Sequence, residues 1–138
     1  MPHKKPALAV ACLIFNQGRL LLSRRAKTPQ QNSWQCPGGF VHFNETLIAA
    51  GERILQQKVG IVLPLKNTAL HSNNIFKNEQ VHSCTLYLSA GCSVSLINHD
   101  EWQWYRLDHL PQPLFLPLQI LFSQYPEELS QLSRTHTY

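Results

Sequence analysis

Three observations predict an α/β fold in which a mixed β-sheet is held between helices. The apolar segments follow one another as strands, helix, strands, helix. The first long stretch of helical periodicity, Thr46 to Val59, has β-tolerant runs on both sides. The composition, 43% hydrophobic and 14% charged over 138 residues, suits one core, and residues 1–138 read as a single domain with no repeat or linker dividing them.

Taken in order, "ALAVACLIF" and "RLLLSRR" are apolar runs joined by "NQG", whose residue types favour a hairpin turn. Arg24 and Arg25 emerge at the end of the second run. "AKTPQQNSWQCP", with two prolines, is a loop that finishes in a short strand at Trp34 to Cys36 and runs into the paired glycines Gly38 and Gly39. Leu47, Ile48, Ala50, Ile54, Leu55 and Val59 then mark a helix of about four turns, with Gly60 as its C-terminal stop. Strands are expected at "IVLPLK", "TALHSNNIF", "VHSCTLYLSAGC" and "WQWYRL", and a helix in "PLFLPLQILFSQY" that begins near a proline. Residues 126–138 read as a short amphipathic helix with a frayed tail.

Composition narrows the function. The opening "MPHKKPALAVACLIF" superficially resembles a signal sequence but reads better as a first strand, and no apolar run approaches the ~18 residues of a membrane span. A cytoplasmic, membrane-free protein is expected. Cys12, Cys36, Cys84 and Cys92 form no C-x-x-C pair and read as buried free thiols. Twelve basic against eight acidic residues give a net charge of +4, which suits an anionic ligand and is too scattered to point to nucleic acid, an unlikely partner on this reading.

The segment "GGFVHFNETLIAAGERILQQKVGI" carries the most specific signal. Gly39, Glu45, Arg53, Gly60 and Ile61 match the pattern G-x5-E-x7-R-E-U-x-E-E-x-G-U over residues 39–61, with Leu55 at an aliphatic place. "SWQCPGG" before it and "EWQWYRLDHLP" after it agree as well. On these residues the chain resembles the Nudix hydrolase family, its MutT-like nucleoside-triphosphate pyrophosphohydrolases above all. The resemblance implies the Nudix fold, an α/β/α sandwich on a mixed β-sheet. It also implies a row of glutamates that binds Mg or Mn, as hard cations require oxygen ligands, and water attack on a diphosphate.

Laid on this chain, those metal-binding glutamates fall on Ile54, Gln57 and Lys58. Ile54 offers no oxygen, Gln57 a neutral one, and Lys58 a cation where another cation would bind. Glu52, two residues before Ile54, lies about 200° around the helix and cannot stand in. Glu45 and Arg53 are retained, and the resemblance makes them a salt bridge that ties loop to helix, with Arg53 and Gly60 structural. Asn44 stands at a glycine place and tolerates left-handed backbone. His42, in place of a frequent glutamate, is either a metal ligand or general base or an ordinary polar residue.

The candidate catalytic set is therefore Glu45, Gln57, Lys58, His42 and Glu101, the last placed by resemblance beside "WQW". The resemblance makes Arg24 and Arg25 contacts to the substrate phosphates, a role that a guanidinium fork suits, and Lys58, Gly38 and Gly39 are further candidate phosphate contacts, with Lys27 beside them. No metal is expected at the usual box ligands; Mg or Mn applies only if the protein is active. The leading reading is a protein that binds a nucleotide or other diphosphate-containing metabolite with hydrolysis lost or weakened. A pyrophosphohydrolase with altered metal ligands and an interaction module on the same scaffold remain alternatives, and a homodimer is a possibility that the resemblance raises.

Overall fold

The computed structural model describes residues 4–97 and 100–136. The spine of the sheet is β1 (Ala7–Asn16), joined to β2 (Arg19–Arg24) by a tight turn in which Gln17 and Gly18 both take positive φ, 47° and 77°. Such a turn matches the twist of a hairpin, and it explains why a glycine stands there. Two short strands follow, β3 (Trp34–Gln35) and β4 (Gly38–Phe40), and then α1 (Leu47–Lys58). The long hairpin β5 (Lys66–Phe76) and β6 (Val81–Gly91), the strand β7 (Gln103–Arg106), and the helices α2 (Leu116–Gln124) and α3 (Pro126–Thr135) complete the order.

β1 touches three partners along its length. It pairs in parallel with β6 from Ala7↔Ser83 to Phe15↔Gly91, and β5 lies antiparallel outside β6. On its other side it pairs antiparallel with β4 at its start, Ala9↔Phe40 to Ala11↔Gly38, and with β2 at its end, Phe15↔Leu20. β2 in turn carries β3 and β7. The mixed sheet is thus split between β4 and β2, and the Cys12 amide bridges the split by donating to the Pro37 carbonyl at 2.8 Å.

Alternation along β1 builds two cores. Val10, Cys12 and Ile14 face α1, where Ala50, Ile54, Leu55 and Val59 pack on them. Leu13 and Phe15 face the opposite side, with Leu118, Leu121 and Leu129 from α2 and α3. This is the expected α/β/α sandwich, with one face of the strands on each helical layer. Thr46 caps α1, its hydroxyl accepting from the Ala49 amide, and Gly60 ends it at φ 82°.

Three details differ from the sequence expectation. "IVLPLK" supplies no paired strand before Lys66: Ile61, Leu63 and Leu65 are buried and Val62 and Pro64 exposed, so its alternation packs one face on α1's core without joining the ladder. Gly38–Phe40, read as the end of a loop, pairs with β1. β5 is interrupted by a register shift between Asn67 and His71, where Ala69 takes φ 63°. The C-terminal segment forms α3 with Leu129 and Ser133 buried; the last two residues of the frayed tail expected there, Thr137 and Tyr138, lie outside the described residues. The four cysteines are free, three of them buried and Cys84 partly so.

Candidate anion-binding site

The loop from Val41 to Thr46 is closed by its own hydrogen bonds. The Glu45 amide donates to the His42 carbonyl at 3.1 Å, and Glu45 Oε1 accepts from the His42 amide at 3.0 Å. Asn44 takes the left-handed conformation at φ 65°. Arg53, two turns into α1, grips the Glu45 carboxylate with both nitrogens, Nε to Oε2 at 2.8 Å and Nη2 to Oε1 at 3.0 Å, and Nη2 also donates to the Phe40 carbonyl at 2.8 Å. Together these contacts hold the Glu45 carboxyl down at about 2, the Arg53 hydrogen bonds first and the His42 amide second. Both of its oxygens are engaged in tying loop, β4 and α1 into one piece, which leaves Glu45 poorly placed for a metal or a proton.

On the same helix the three box positions meet different surroundings. Ile54 is 1% exposed and lies in the core, where its Cδ1 comes so near Gly39 that a Cβ built on that glycine would meet it at 3.2 Å. Gln57 is exposed, and its Oε1 takes a weak contact from Arg53 Nη1 at 3.4 Å. The Lys58 ammonium turns back over Gly39 and donates to the Gly38 carbonyl. An isoleucine, a neutral amide and an ammonium do not fit Mg²⁺ or Mn²⁺, which take oxygen and favour carboxylates. Among the described residues no three His, Cys, Asp or Glu side chains stand together as a metal site.

What converges instead is positive charge. Burial lowers the Lys58 pKa first, and the charges of Arg25, Lys27 and Arg53 lower it further. Arg25 is held rigidly: its Nε donates to the Pro29 carbonyl at 2.9 Å, Nη1 to Gln35 Oε1 at 2.8 Å and Nη2 to the Thr28 carbonyl at 3.2 Å, and its guanidinium lies 4.1 Å from the centre of the Phe115 ring. Three of its five N–H donors are engaged, so two remain for a ligand.

Arg25, Lys27, Gln35 and Lys58 form a wall shared by two cavities. The larger, about 480 Å³, opens over the sheet face under the start of α2 and has aromatic walls from Phe40, Phe76 and Phe115. The smaller, about 470 Å³, is polar and takes in Arg24, Gln57, Glu101 and Trp102. An anion seated on the wall would face cations from the loop after β2 and from the last turn of α1.

The family model of the NUDIX domain matches residues 5–124. This chain belongs to the Nudix family. A MutT NUDIX hydrolase of Burkholderia pseudomallei superposes with a TM-score of 0.76 at 27% identity, covering 88% of this chain and 99% of that one. An ADPR responsive transcriptional repressor, NtrR, of Acinetobacter baylyi is 32% identical over 107 residues; these are 73% of this chain but only 41% of the repressor's length. The Nudix domain of the Shewanella oneidensis regulator NrtR, solved with ADP ribose, superposes with a TM-score of 0.67 at 23% identity over 92% of this chain and 90% of that one. The same regulator, of which this chain spans 60%, has been solved with a 27mer DNA. The expectation that nucleic acid is an unlikely partner therefore has no support from these likenesses.

Of the residues singled out in sequence, Arg25, Lys27 and Lys58 come together at the wall between the cavities, Gly38 and Gly39 line the aromatic one, and Arg24, Gln57 and Glu101 line the polar one. His42 stands apart, exposed on the loop outside both cavities. Two tryptophans lie near these cations: Trp102 is buried and donates from Nε1 to the Lys58 carbonyl at 3.1 Å, and Trp34 is half-buried with the Arg24 guanidinium 5.5 Å from its ring centre. Sequence reading missed the aromatic cavity altogether. Its signal lies in β5 and β6, where Ser72, Asn74, Ser83 and Thr85 share the inward face with Phe76 and Tyr87, small polar residues where a filled core would carry large apolar ones. No helix among the described residues is long and apolar enough to cross a membrane.

Proposed function

We propose that this Nudix domain binds a nucleoside diphosphate linked to a second polar group, with ADP-ribose the first ligand to test, and leaves the diphosphate intact. The observation that carries the reading is the Lys58 ammonium, anchored on the Gly38 carbonyl where the family pattern has a carboxylate, with Arg25, Lys27 and Arg53 around it. A fixed ammonium supplies the counter-charge that a divalent ion supplies elsewhere, without the polarised water that a metal brings. Two cavities of similar size on either side of the wall suit a ligand with two ends: a nucleobase in the aromatic one, a hydroxyl-rich group in the polar one, and the diphosphate on the cations between. The ADP-ribose complex of the Shewanella regulator's Nudix domain supports the choice of first ligand.

Calorimetric titration with ADP-ribose tests this directly. Binding is expected in the presence of a chelator, unchanged by Mg²⁺, and lost in Lys58→Glu. Affinity that appears only with metal, or that survives Lys58→Glu, refutes the reading. One observation favours a second reading, an active pyrophosphohydrolase with altered ligands: Glu101 lines the same cavity as Gln57 and Lys58. That reading requires metal-dependent product from the natural chain and its loss in Glu101→Gln.

A further inference from the structure

We infer that Ser83 and Thr85 form a hydrogen-bond-donating floor to the aromatic cavity, oriented by Asn74, and that this floor selects a nucleobase by the acceptor nitrogens of its ring. The inference rests on the nucleoside-diphosphate reading above and specifies how one end of that ligand is recognised. Asn74 on β5 sits opposite Ser83 on β6 and is fully buried. Its Nδ2 donates to Ser83 Oγ at 3.2 Å and to Thr85 Oγ1 at 3.0 Å. Both amide hydrogens are thereby engaged, and each hydroxyl acts toward Asn74 as an acceptor. A hydroxyl that accepts still has its own hydrogen to give. Among the described residues neither hydroxyl finds an acceptor for it, and both residues line the cavity.

The direction of these bonds follows from what the alternative would leave behind. As it stands, the amide buries one acceptor without a partner, Asn74 Oδ1. Turned over, its oxygen would accept from both hydroxyls, but its two N–H groups would be buried with nothing to accept them. Two orphaned donors cost more than one orphaned carbonyl, so the hydroxyl hydrogens are free to point into the cavity. Two bonds of about 3 Å diverging at the ~120° of a planar amide set the hydroxyls about 5 Å apart, a spacing that spans the edge of a heteroaromatic ring. Phe40 and Phe115 line the same cavity with apolar surface, and Lys58 and Arg25, on the wall shared with the polar cavity, are there for the phosphates. Asn74 is a positioning residue; Ser83 and Thr85 are the ones that meet the ligand.

The test titrates ADP and its 1-, 3- and 7-deaza analogues, each lacking one ring acceptor, into the natural protein, Ser83→Ala and Thr85→Val, with inorganic pyrophosphate as the base-free probe. Each variant is expected to weaken ADP by about five- to tenfold, the value of one hydrogen bond, and to leave pyrophosphate unchanged. At least one deaza analogue should lose as much on the natural protein and lose nothing further on the variant whose hydroxyl it would have met. ADP binding that is equal in all three proteins, or analogues that all match ADP, overturns the donor floor while pyrophosphate binding dependent on Lys58 keeps the parent reading. Pyrophosphate that fails to bind, or binds Lys58→Glu equally well, removes the parent reading. A protein to which ADP does not bind at all refutes both.

Discussion

Restoring one box glutamate, Ile54→Glu, is expected to unsettle the fold before it restores any chemistry. Ile54 is 1% exposed, packs in the core beneath α1, and presses its Cδ1 toward Gly39. Exchanging that side chain for one that prefers water forfeits the apolar transfer of a buried isoleucine, about 1.5 to 3 kcal/mol. Glutamate is of similar size, so no cavity cost is added, but its carboxyl loses hydration, at about 1 to 3 kcal/mol if it is buried neutral and several kcal/mol if it stays ionised. The nearby Lys58 ammonium offsets part of that penalty. A net loss of about 3 kcal/mol corresponds in a chain of this size to a fall of about 10 °C in Tm. Thermal melts followed by circular dichroism measure it, with Ile54→Met as the volume-matched control costing less than about 1.5 kcal/mol. If Ile54→Glu melts with the natural protein, or above Ile54→Met, the core assignment is wrong. In the triple variant with Gln57→Glu and Lys58→Glu, Mg²⁺ at a hundredfold excess over its Kd should return about 2.7 kcal/mol, and the natural chain should gain nothing.

Three further outcomes follow from the same geometry. Glu45 titrates at about 2, below its ordinary 4.5, so its carboxylate favours the fold above the ordinary value and that contribution disappears as pH falls through the folded one. The Tm difference between the natural protein and Glu45→Gln should therefore close as pH drops from about 4.5 toward 2; a constant difference refutes the role of the Arg53 pair. Gly51→Ala would bring a Cβ to 2.5 Å from Leu88 Cδ1 and 2.7 Å from Leu65 Cδ1. Its helix-propensity gain of about 1 kcal/mol is outweighed by about 1 to 3 kcal/mol of overpacking, so a stabilised variant would contradict the packing. Burial and neighbouring cations lower the Lys58 pKa, and a bound anion raises it again. Diphosphate binding should then take up protons in the alkaline range below 10.5, read as a buffer-dependent heat that vanishes in Lys58→Gln; equal heats in all buffers place the anion elsewhere.

The fold was legible because its signals are local. Hairpin residues at Gln17 and Gly18, a capped apolar stripe from Thr46 to Gly60, and strand alternation in β1 and β6 each act within a few residues. The family pattern likewise falls within one loop and helix, so the Glu45–Arg53 contact and the foreign side chains at Ile54, Gln57 and Lys58 are legible in the sequence. The cavities were not, because they are made where β1 changes partners from β4 to β2, and that split arises from pairings far apart in sequence. "IVLPLK" misled for a related reason: alternation reports which face is buried, not whether a neighbour offers a free edge. The locking of Arg25 by Thr28, Pro29, Gln35 and Phe115 also depends on how a polar loop folds back, which its composition does not encode.

Whether the altered box is a decayed metal site or a rebuilt anion site can be argued from where Lys58 and Arg25 go. A lysine left over on a solvated helix face would extend into water, where it keeps its hydration and its rotamer freedom. Lys58 is an exposed residue, yet its ammonium folds back onto the Gly38 carbonyl, where desolvation first and then the charges of Arg25, Lys27 and Arg53 depress its pKa. Arg25, the largest of those charge contributions, is clamped by three hydrogen bonds and an aromatic ring, which hold it against the repulsion. Clustered cations repel one another at a cost in free energy, and a bound anion would add an attraction to each of them that offsets that repulsion. The retained Glu45–Arg53 bridge fits the same logic: it fixes the loop and helix that aim Lys58, a task that persists without a metal to hold. On the proposed reading, the charge concentrated at the junction of the two cavities is the charge that a bound diphosphate would neutralise.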